Sequence, residues 1–403
     1  MSALAGALLL TALLLALSTA VLLARRLLVP QRAVRVSVEG GPGFEASTGE
    51  TLLAALEQEG IDLPAACGGT GTCGLCRLRV TEGGADPLPT ETARLSRAEL
   101  REGAHLACQV VLRGDLTVAL PEGLAPVARL DAVVAATRMP SPLIREIELA
   151  LPEGEALDCE AGAFVQVTAP PFALDFAEIA VPDRHTEAWR GLRGLRVSTD
   201  VPVTRAYSVA GRPEDAAAGR IVLMIRLALP PPGLPGVPPG VVSSWLISRR
   251  VGDRVALSGP HGGFRARESG REMVFVGGGV GLAPLRAIIH DRLTRAGDRR
   301  QMSFFYGARG PGDLLHADEF EALEQGHPNF CYTPVLSEPE AGWAGPAGFV
   351  HEALRDRFLM DHPAPERCDY YLCGPPLMTA AVRMLLEEAG VPPGQVFSDD
   401  FGV

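Results

Sequence analysis

Three cysteines stand within "AACGGTGTCGLCRL" (Ala65 to Leu78), spaced C-x5-C-x2-C as Cys67, Cys73 and Cys76, and a fourth, Cys108, follows in "LACQV". Thiols this close serve as disulfides, zinc ligands or iron–sulfur ligands. A zinc ribbon pairs two C-x2-C knuckles, and here there is one. Three thiolates from a single loop and one from a distant segment suit a [2Fe–2S] rhomb with two cysteines per iron, close to a known C-x4-C-x2-C…C arrangement. Gly68, Gly69, Gly71 and Gly74 fit the same chemistry, because glycine lets backbone N–H groups turn toward cluster sulfurs. Cys159, Cys331 and Cys368 occur singly and are expected to be buried as small hydrophobes.

The compartment bears on that choice. Met1 to Ala24 carries no charged side chain, and Arg25-Arg26 follows. About 20 apolar residues cross a hydrocarbon core as a helix, and the basic flank predicts a single-pass anchor with Met1 outside and the rest in the cytoplasm. A cleaved secretory signal is the competing reading, but its charge would precede the apolar run. In a reducing cytoplasm structural disulfides are rare, which favours cluster ligation. The formal net charge of −11 argues against a nucleic-acid partner. The histidines lack the i, i+4 pairing of a metal-binding helix.

The elements that would position such a cluster form a small α+β domain. "AVRVSVEGG", "FEAST" and "CRLRVTEG" alternate as strands, and "GETLLAALEQEGI" has the apolar face of a helix. The arrangement resembles a β-grasp ferredoxin over about Arg32 to Pro121. From Leu124 onward short strands with turn signals ("VARLDAVVAATRMP", "IREIELAL", "AFVQVTAP", "GRIVLMIRLAL", "DRVALSGP") predict an antiparallel barrel. From about Gly270, "REMVFVGGGVGLAPLRAIIHDRL" reads as buried strand, glycine turn and helix. That context makes Gly278, Gly279 and Gly281, with Pro284, candidates for holding a dinucleotide pyrophosphate.

Arg205-Ala206-Tyr207-Ser208 in "TRAYSVA" resembles the R-x-Y-S/T element of the ferredoxin–NADP reductase superfamily. "PPGVVSSWLISRR", "SGPHGGF" and Cys373-Gly374-Pro375-Pro376 resemble further elements of it. That likeness implies FAD in the barrel. Tyr207 would lie against the isoalloxazine, with the Ser208 hydroxyl near N5 and Arg205 on phosphate. Gly240, Val242 and Ser243 would sit at the pyrophosphate, and Arg226 is assigned to the same cofactor. It also implies a nicotinamide nucleotide held by the glycine turn, Gly307, Arg309, Gly374 and Pro375, with the Cys373 thiol beside the nicotinamide C4. NADH is implied over NADPH, although Arg309 stands where a 2′-phosphate could be met.

The anchor, the long segment between barrel strands around "PPFALDFAEIAVPDRHTEAWRGLRGL", and the closing "VFSDDFGV" narrow the resemblance. Together they resemble the F subunits of the Na+-translocating NADH:quinone oxidoreductases over essentially the whole chain. The implied fold is multidomain: an anchor (1–30), a [2Fe–2S] ferredoxin domain (31–124), an FAD barrel (125–268) and an α/β NADH domain (269–403). The implied activity is hydride transfer from NADH to FAD. Single electrons would then pass to the cluster, to membrane partner subunits and finally to quinone. Ser208, Cys373 and Phe401 would line the reaction, Phe401 capping the flavin ring. His261 and Gly263 depart from the family, which usually has an aromatic and an acidic residue there. Two alternatives stand beside this: a membrane-anchored NADH-dependent reductase of an oxygenase, and a non-catalytic assembly subunit.

Overall fold

Alternation of apolar and polar residues between Ala33 and Ala119 produces a five-stranded sheet, here seen in a computed structural model. The structure describes residues 32–65, 67–121, 128–230 and 237–399, together with Thr11, Leu13, Leu17 and Ser18. The chain divides into two compact units, Met1–Leu63 with Gly69–Leu124, and Ala125–Val403 with Pro64–Gly68. The segment expected to form the anchor lies outside the described residues but for those four, which are helical. No helix among the described residues is long and apolar enough to cross a membrane.

In the first unit the strands are β1 (Ala33–Val38), β2 (Phe44–Ser47), β3 (Arg77–Glu82), β4 (Ala104–Leu106) and β5 (Leu116–Ala119), in the order β2-β1-β5-β3-β4. β1 and β5 run parallel. The helix Leu52–Gln58 is capped by Thr51, whose hydroxyl accepts from the Ala54 N–H, and it buries Leu52, Leu53, Ala55 and Leu56. This is the predicted α+β arrangement.

The second unit opens with six antiparallel strands: β6 (Ala128–Ser141), β7 (Ile144–Ala150), β8 (Phe164–Ala169), β11 (Val203–Ser208), β12 (Arg220–Arg226) and β13 (Arg254–His261), in the order β11-β8-β13-β6-β7-β12. An isolated bridge from Val209 to Leu223 brings the two end strands together, and the Ala210 N–H bonds the Val222 carbonyl, so the sheet curls into a barrel. Between β8 and β11 lies the long segment singled out in the sequence. It forms an antiparallel pair, β9 (Phe172–Asp175) with β10 (Arg196–Thr199), joined by short helical turns. Phe176, Ile179 and Trp189 from those turns join the barrel core.

Backbone acceptors hold this segment in place. Arg145 donates to the carbonyls of Ala180 (2.6 Å) and Arg249 (3.2 Å), Arg184 to that of Met139 (2.7 Å), and the Trp189 indole to that of Pro142 (2.6 Å). Trp189 is fully buried. Trp189→Ala is therefore expected to lower unfolding stability by about 3–5 kcal/mol. Urea denaturation measures this, and a loss well under the cost of one buried methylene would show the segment to be a loose surface loop.

The last layer is a parallel sheet of β14 (Met273–Gly278), β15 (Met302–Ala308), β16 (Phe330–Leu336), β17 (Asp369–Cys373) and β18 (Val396–Asp399), in the order β16-β15-β14-β17-β18. The chain runs outward from β14 to β15 and β16, then returns to β17 and β18 on the other side. The switch of direction therefore falls between β14 and β17, where open α/β sheets bind ligands beyond the carboxyl ends of their strands. One expectation fails here. Cys331 is exposed, because on the edge strand β16 alternation turns Phe330 and Tyr332 inward and Cys331 out. Cys159 and Cys368 are buried as expected.

A feature of composition runs through both units. The chain contains no lysine, so every one of its 37 basic residues is an arginine, and among the described residues each ion pair draws its cation from arginine or histidine.

Candidate functional site

The cysteine loop is bent by glycines with left-handed φ values: Gly68 (+64°), Gly69 (+89°), Gly71 (+81°) and Gly74 (+68°). A side chain at Gly71 would also run into the Gln109 amide, 2.8 Å from the added carbon. The N–H of Ala107 bonds the carbonyl of Cys76 at 2.8 Å, which sets Cys108 beside the loop despite thirty-one intervening residues. The fully buried Glu91 carboxylate fixes that segment, accepting from the backbone N–H groups of Leu106 (2.9 Å) and Leu88 (2.7 Å) and bonding the His105 ring.

Cys67, Cys76 and Cys108 are buried, Cys73 is half-buried, and no disulfide joins them. The Cys76 thiol hydrogen-bonds that of Cys108, and this bond, burial and the charges of Cys108 and Cys73 push its pKa far above the thiol range. Ionising thiols this crowded is costly on its own, and the cost is relieved when cations take the thiolates. The donor set therefore fits an iron–sulfur cluster. Gln109, whose amide donates to the Cys108 sulfur at 3.4 Å, escaped the sequence reading.

In the second unit, β11 carries Arg205, Tyr207 and Ser208. The period of two sends Arg205 and Tyr207 to one face and Ser208 to the other. Tyr207 is half-buried against the barrel core, and Arg205 donates to the Thr204 carbonyl at 2.7 Å. The Ser208 hydroxyl donates to Asp399 on β18 at 3.0 Å. Asp399 was missed as a site residue, because it reaches Ser208 only through pairing of β18 with β17, where it stands opposite Cys373. The signal was present in "FSDDFGV". Phe401 lies outside the described residues.

Gly240 caps the helix Val241–Ile247, where a Cβ would approach Ala228 to 2.7 Å. The Ser243 hydroxyl donates to the Gly240 carbonyl (3.0 Å) and accepts from the Ala228 N–H (3.2 Å). It therefore braces the turn, and the first N–H groups of the helix, Val242 among them, are left without intrahelical acceptors. Arg226, exposed at the end of β12, lies two residues before Ala228. His261 stacks on Phe164 with ring centroids 5.4 Å apart, so the departure from an aromatic keeps a ring contact.

At the switch point the glycine turn and the Cys373-Gly374 turn touch. A Cβ on Gly281 would sit 2.1 Å from the Cys373 carbonyl oxygen, and one on Gly278 would meet the Met378 sulfur at 2.9 Å and the Pro375 ring at 3.3 Å. Only glycine fits at these two positions, so the two turns pack closely against each other. Tyr306, also missed, is fully buried and donates to the Gly279 carbonyl at 3.0 Å, holding the turn. Pro284 lies buried in the first turn of the helix Leu282–His290. Gly307 packs on Val350, and Arg309 is exposed just past the end of β15. Cys373 itself is fully buried. The structure thus gathers Ser208, Asp399 and Cys373 at one place, where barrel and parallel sheet meet.

Comparison with known proteins agrees with this geometry. Residues 38–113 match the 2Fe-2S iron-sulfur cluster binding domain, and residues 275–384 the oxidoreductase NAD-binding domain. The chain is 40% identical over 403 residues, 98% of each chain, to the F subunit of the Na(+)-translocating NADH-quinone reductase of Klebsiella pneumoniae. It is 39% identical over 401 residues, again 98% of each, to that of Neisseria meningitidis serogroup C. The chain belongs to this F-subunit family. Among solved structures, a crystal structure of the Amycolatopsis cytochrome P450 reductase GcoB is similar with a TM-score of 0.64 and 29% identity, covering 91% of this chain and 98% of that one. The cofactors of the family are a [2Fe–2S] cluster, FAD and NADH.

Proposed function

We propose that this protein is the electron-input subunit of a Na+-translocating NADH:quinone reductase. FAD, when bound, would supply acceptance of a hydride, two electrons with one proton, from NADH, and the [2Fe–2S] cluster would supply transfer of single electrons onward. The observation that carries the reading is the meeting of Ser208, Asp399 and Cys373 at the switch point, within one chain that also holds the cysteine loop.

The protein's own residues orient and hold. Because the Ser208 O–H is donated to Asp399, its oxygen keeps a lone pair free to accept from a donor on a bound ring. Tyr207 would offer an aromatic wall, and the unpaired N–H groups after Gly240 and the glycine turn at Gly278–Gly281 would favour negative phosphates. Cys67, Cys73, Cys76 and Cys108 would hold the iron. Arg205 and Arg226 would serve the flavin phosphates, Gly307, Arg309, Gly374 and Pro375 the nicotinamide nucleotide, and Phe401 the outer flavin face. The domains would run 31–124, 125–268 and 269–403.

Membrane association follows the family, whose members are subunits of a membrane complex. The apolar run before Arg25-Arg26 supports a single-pass helix in the inner membrane, N-terminus outside. Sodium movement then falls to partner subunits and the terminal acceptor is quinone.

The test is NADH:quinone reductase activity in native membranes with and without this gene across a sodium titration. Activity that vanishes with the gene and rises with sodium is expected. Activity indifferent to sodium would turn the reading to an oxygenase reductase, a role that the likeness to the P450 reductase makes the specific rival.

A further inference from the structure

Outside the redox site, the seam between barrel and nicotinamide layer holds a cluster of charges that the proposed chemistry does not use. Its centre is Glu319, in the first turn of the helix Ala317–Gly326. Both of its oxygens accept from the Arg286 Nε (2.9 and 3.0 Å), and it also bonds the His290 ring and His316 Nδ1 (2.7 Å). From there the network crosses the seam twice. Arg286 donates to the carbonyl of Ala210, two residues beyond Ser208. His316 Nε2 reaches Glu146 of β7 at 2.7 Å, and Glu146 is gripped in turn by Arg138 of β6 (2.7 and 3.0 Å). Arg138 and His316 converge on one carboxylate oxygen, which places their nitrogens 2.8 Å apart.

Arg286 lies on the helix that begins at the glycine turn, and Ala210 continues the strand of Tyr207 and Ser208. Glu319 therefore ties the glycine turn to the strand of Tyr207 and Ser208 through a single guanidinium. His316 is the one non-glycine residue with positive φ among those described, at +53°. A conformation of that kind persists only where its surroundings over-determine it. Two carboxylates, each bonded to one ring nitrogen, do so here.

We propose that Glu319 is a positioning residue for hydride transfer, setting the distance between nicotinamide and flavin by clamping Arg286 and His316 across the seam. This rests on the assignment of FAD to the barrel and NADH to the glycine turn. The clamp also carries a pH window. The groups facing His316 are Glu146 and Arg138 from the barrel strands, Glu319 on its own helix, and Arg286 and His290 from the helix behind, with Arg212 acting on Glu319 at longer range.

Burial alone would lower the His316 pKa, but the bonds to Glu146 and Glu319 outweigh it and raise it above 6.5. For Glu146, burial is likewise outweighed by His316 and Arg138, which hold it at about 2. Glu319 lies further below the carboxylate range. A raised histidine stabilises fully below its unfolded pKa, and that contribution is lost as pH rises through the folded value. The depressed carboxylates stabilise above their unfolded values and lose this only in strong acid. The clamp is thus intact in weak acid and slackens on the alkaline side of His316.

The test compares full-length, flavin-loaded wild type with Glu319→Gln and the milder His316→Gln. Stopped-flow flavin reduction at saturating NADH is expected to fall about 10- to 100-fold in Glu319→Gln, the cost of a small misplacement far from the chemistry. Flavin content and NADH affinity should hold. Hydrogen exchange without nucleotide should quicken over residues 144–148 and 312–320 in both variants. In wild type it should quicken as pH passes the His316 pKa, a dependence that His316→Gln abolishes. Unchanged exchange and a rate within twofold of wild type would overturn the proposal. Because exchange is read without NADH, it judges the clamp even if wild type failed to reduce its flavin, a result that would fell the assigned function instead.

Discussion

Cys76→Ala is expected to strip the protein of its [2Fe–2S] cluster while leaving NADH oxidation with artificial two-electron acceptors intact. Cys76 sits where the two cluster segments are joined, its carbonyl bonded to the Ala107 N–H and its thiol against Cys108. Removing one of four thiolates leaves an iron with an open position in a buried loop, and metal binding in such sites is inseparable from local folding. The first unit should lose the visible and electron paramagnetic signals of the cluster and part of its stability. On the proposed assignment the flavin is reduced among residues of the other unit, so that rate should stay within about twofold, while electron delivery to acceptors that draw on the cluster falls sharply. Loss of both activities together would mean that the loop is a structural element or that the order of transfer is different.

Ser208→Ala should have the second largest effect, slowing flavin reduction by about 10²-fold, the usual cost of deleting one preorganised polar group at a reacting centre. Asp399→Asn should slow it less, because the amide can still accept from the Ser208 hydroxyl while the negative charge is gone. If the two act as one unit, the double variant will be little worse than Ser208→Ala alone. Stopped-flow traces at several NADH concentrations separate a slower transfer step from weaker binding. Simple additivity would show the Ser208–Asp399 bond at 3.0 Å to be a packing contact. A full rate in Ser208→Ala would remove the barrel strand from the redox site altogether.

Much of the fold was legible because it is written locally. Period-two alternation marked the barrel strands, and the glycine turn after a buried strand marked β14 and its helix. The cysteine loop declared its chemistry by spacing. What stayed hidden depends on contacts between distant segments. Asp399 gains meaning only when β18 pairs with β17 and lies against β11. Tyr306 is an ordinary buried strand residue until its hydroxyl meets Gly279. Glu146, Arg286, His316 and Glu319 share no motif, and the chain between them runs through two layers. The misplacement of Cys331 has the same origin, since whether a strand lies at an edge is a property of the whole sheet.

The absence of lysine has a consequence for how the seam between barrel and nicotinamide layer responds to alkali. An interface zipped by ammonium groups would shed charge gradually across several units of pH as each lysine titrates. Here the cations that hold Glu146 and Glu319 are a permanent pair, Arg138 and Arg286, and a switchable partner, His316. Guanidinium groups do not titrate in any range where a protein survives. Past His316, then, the ion pairs of the two arginines remain beside the apolar contacts that join the layers, and the seam has an alkaline step followed by a plateau.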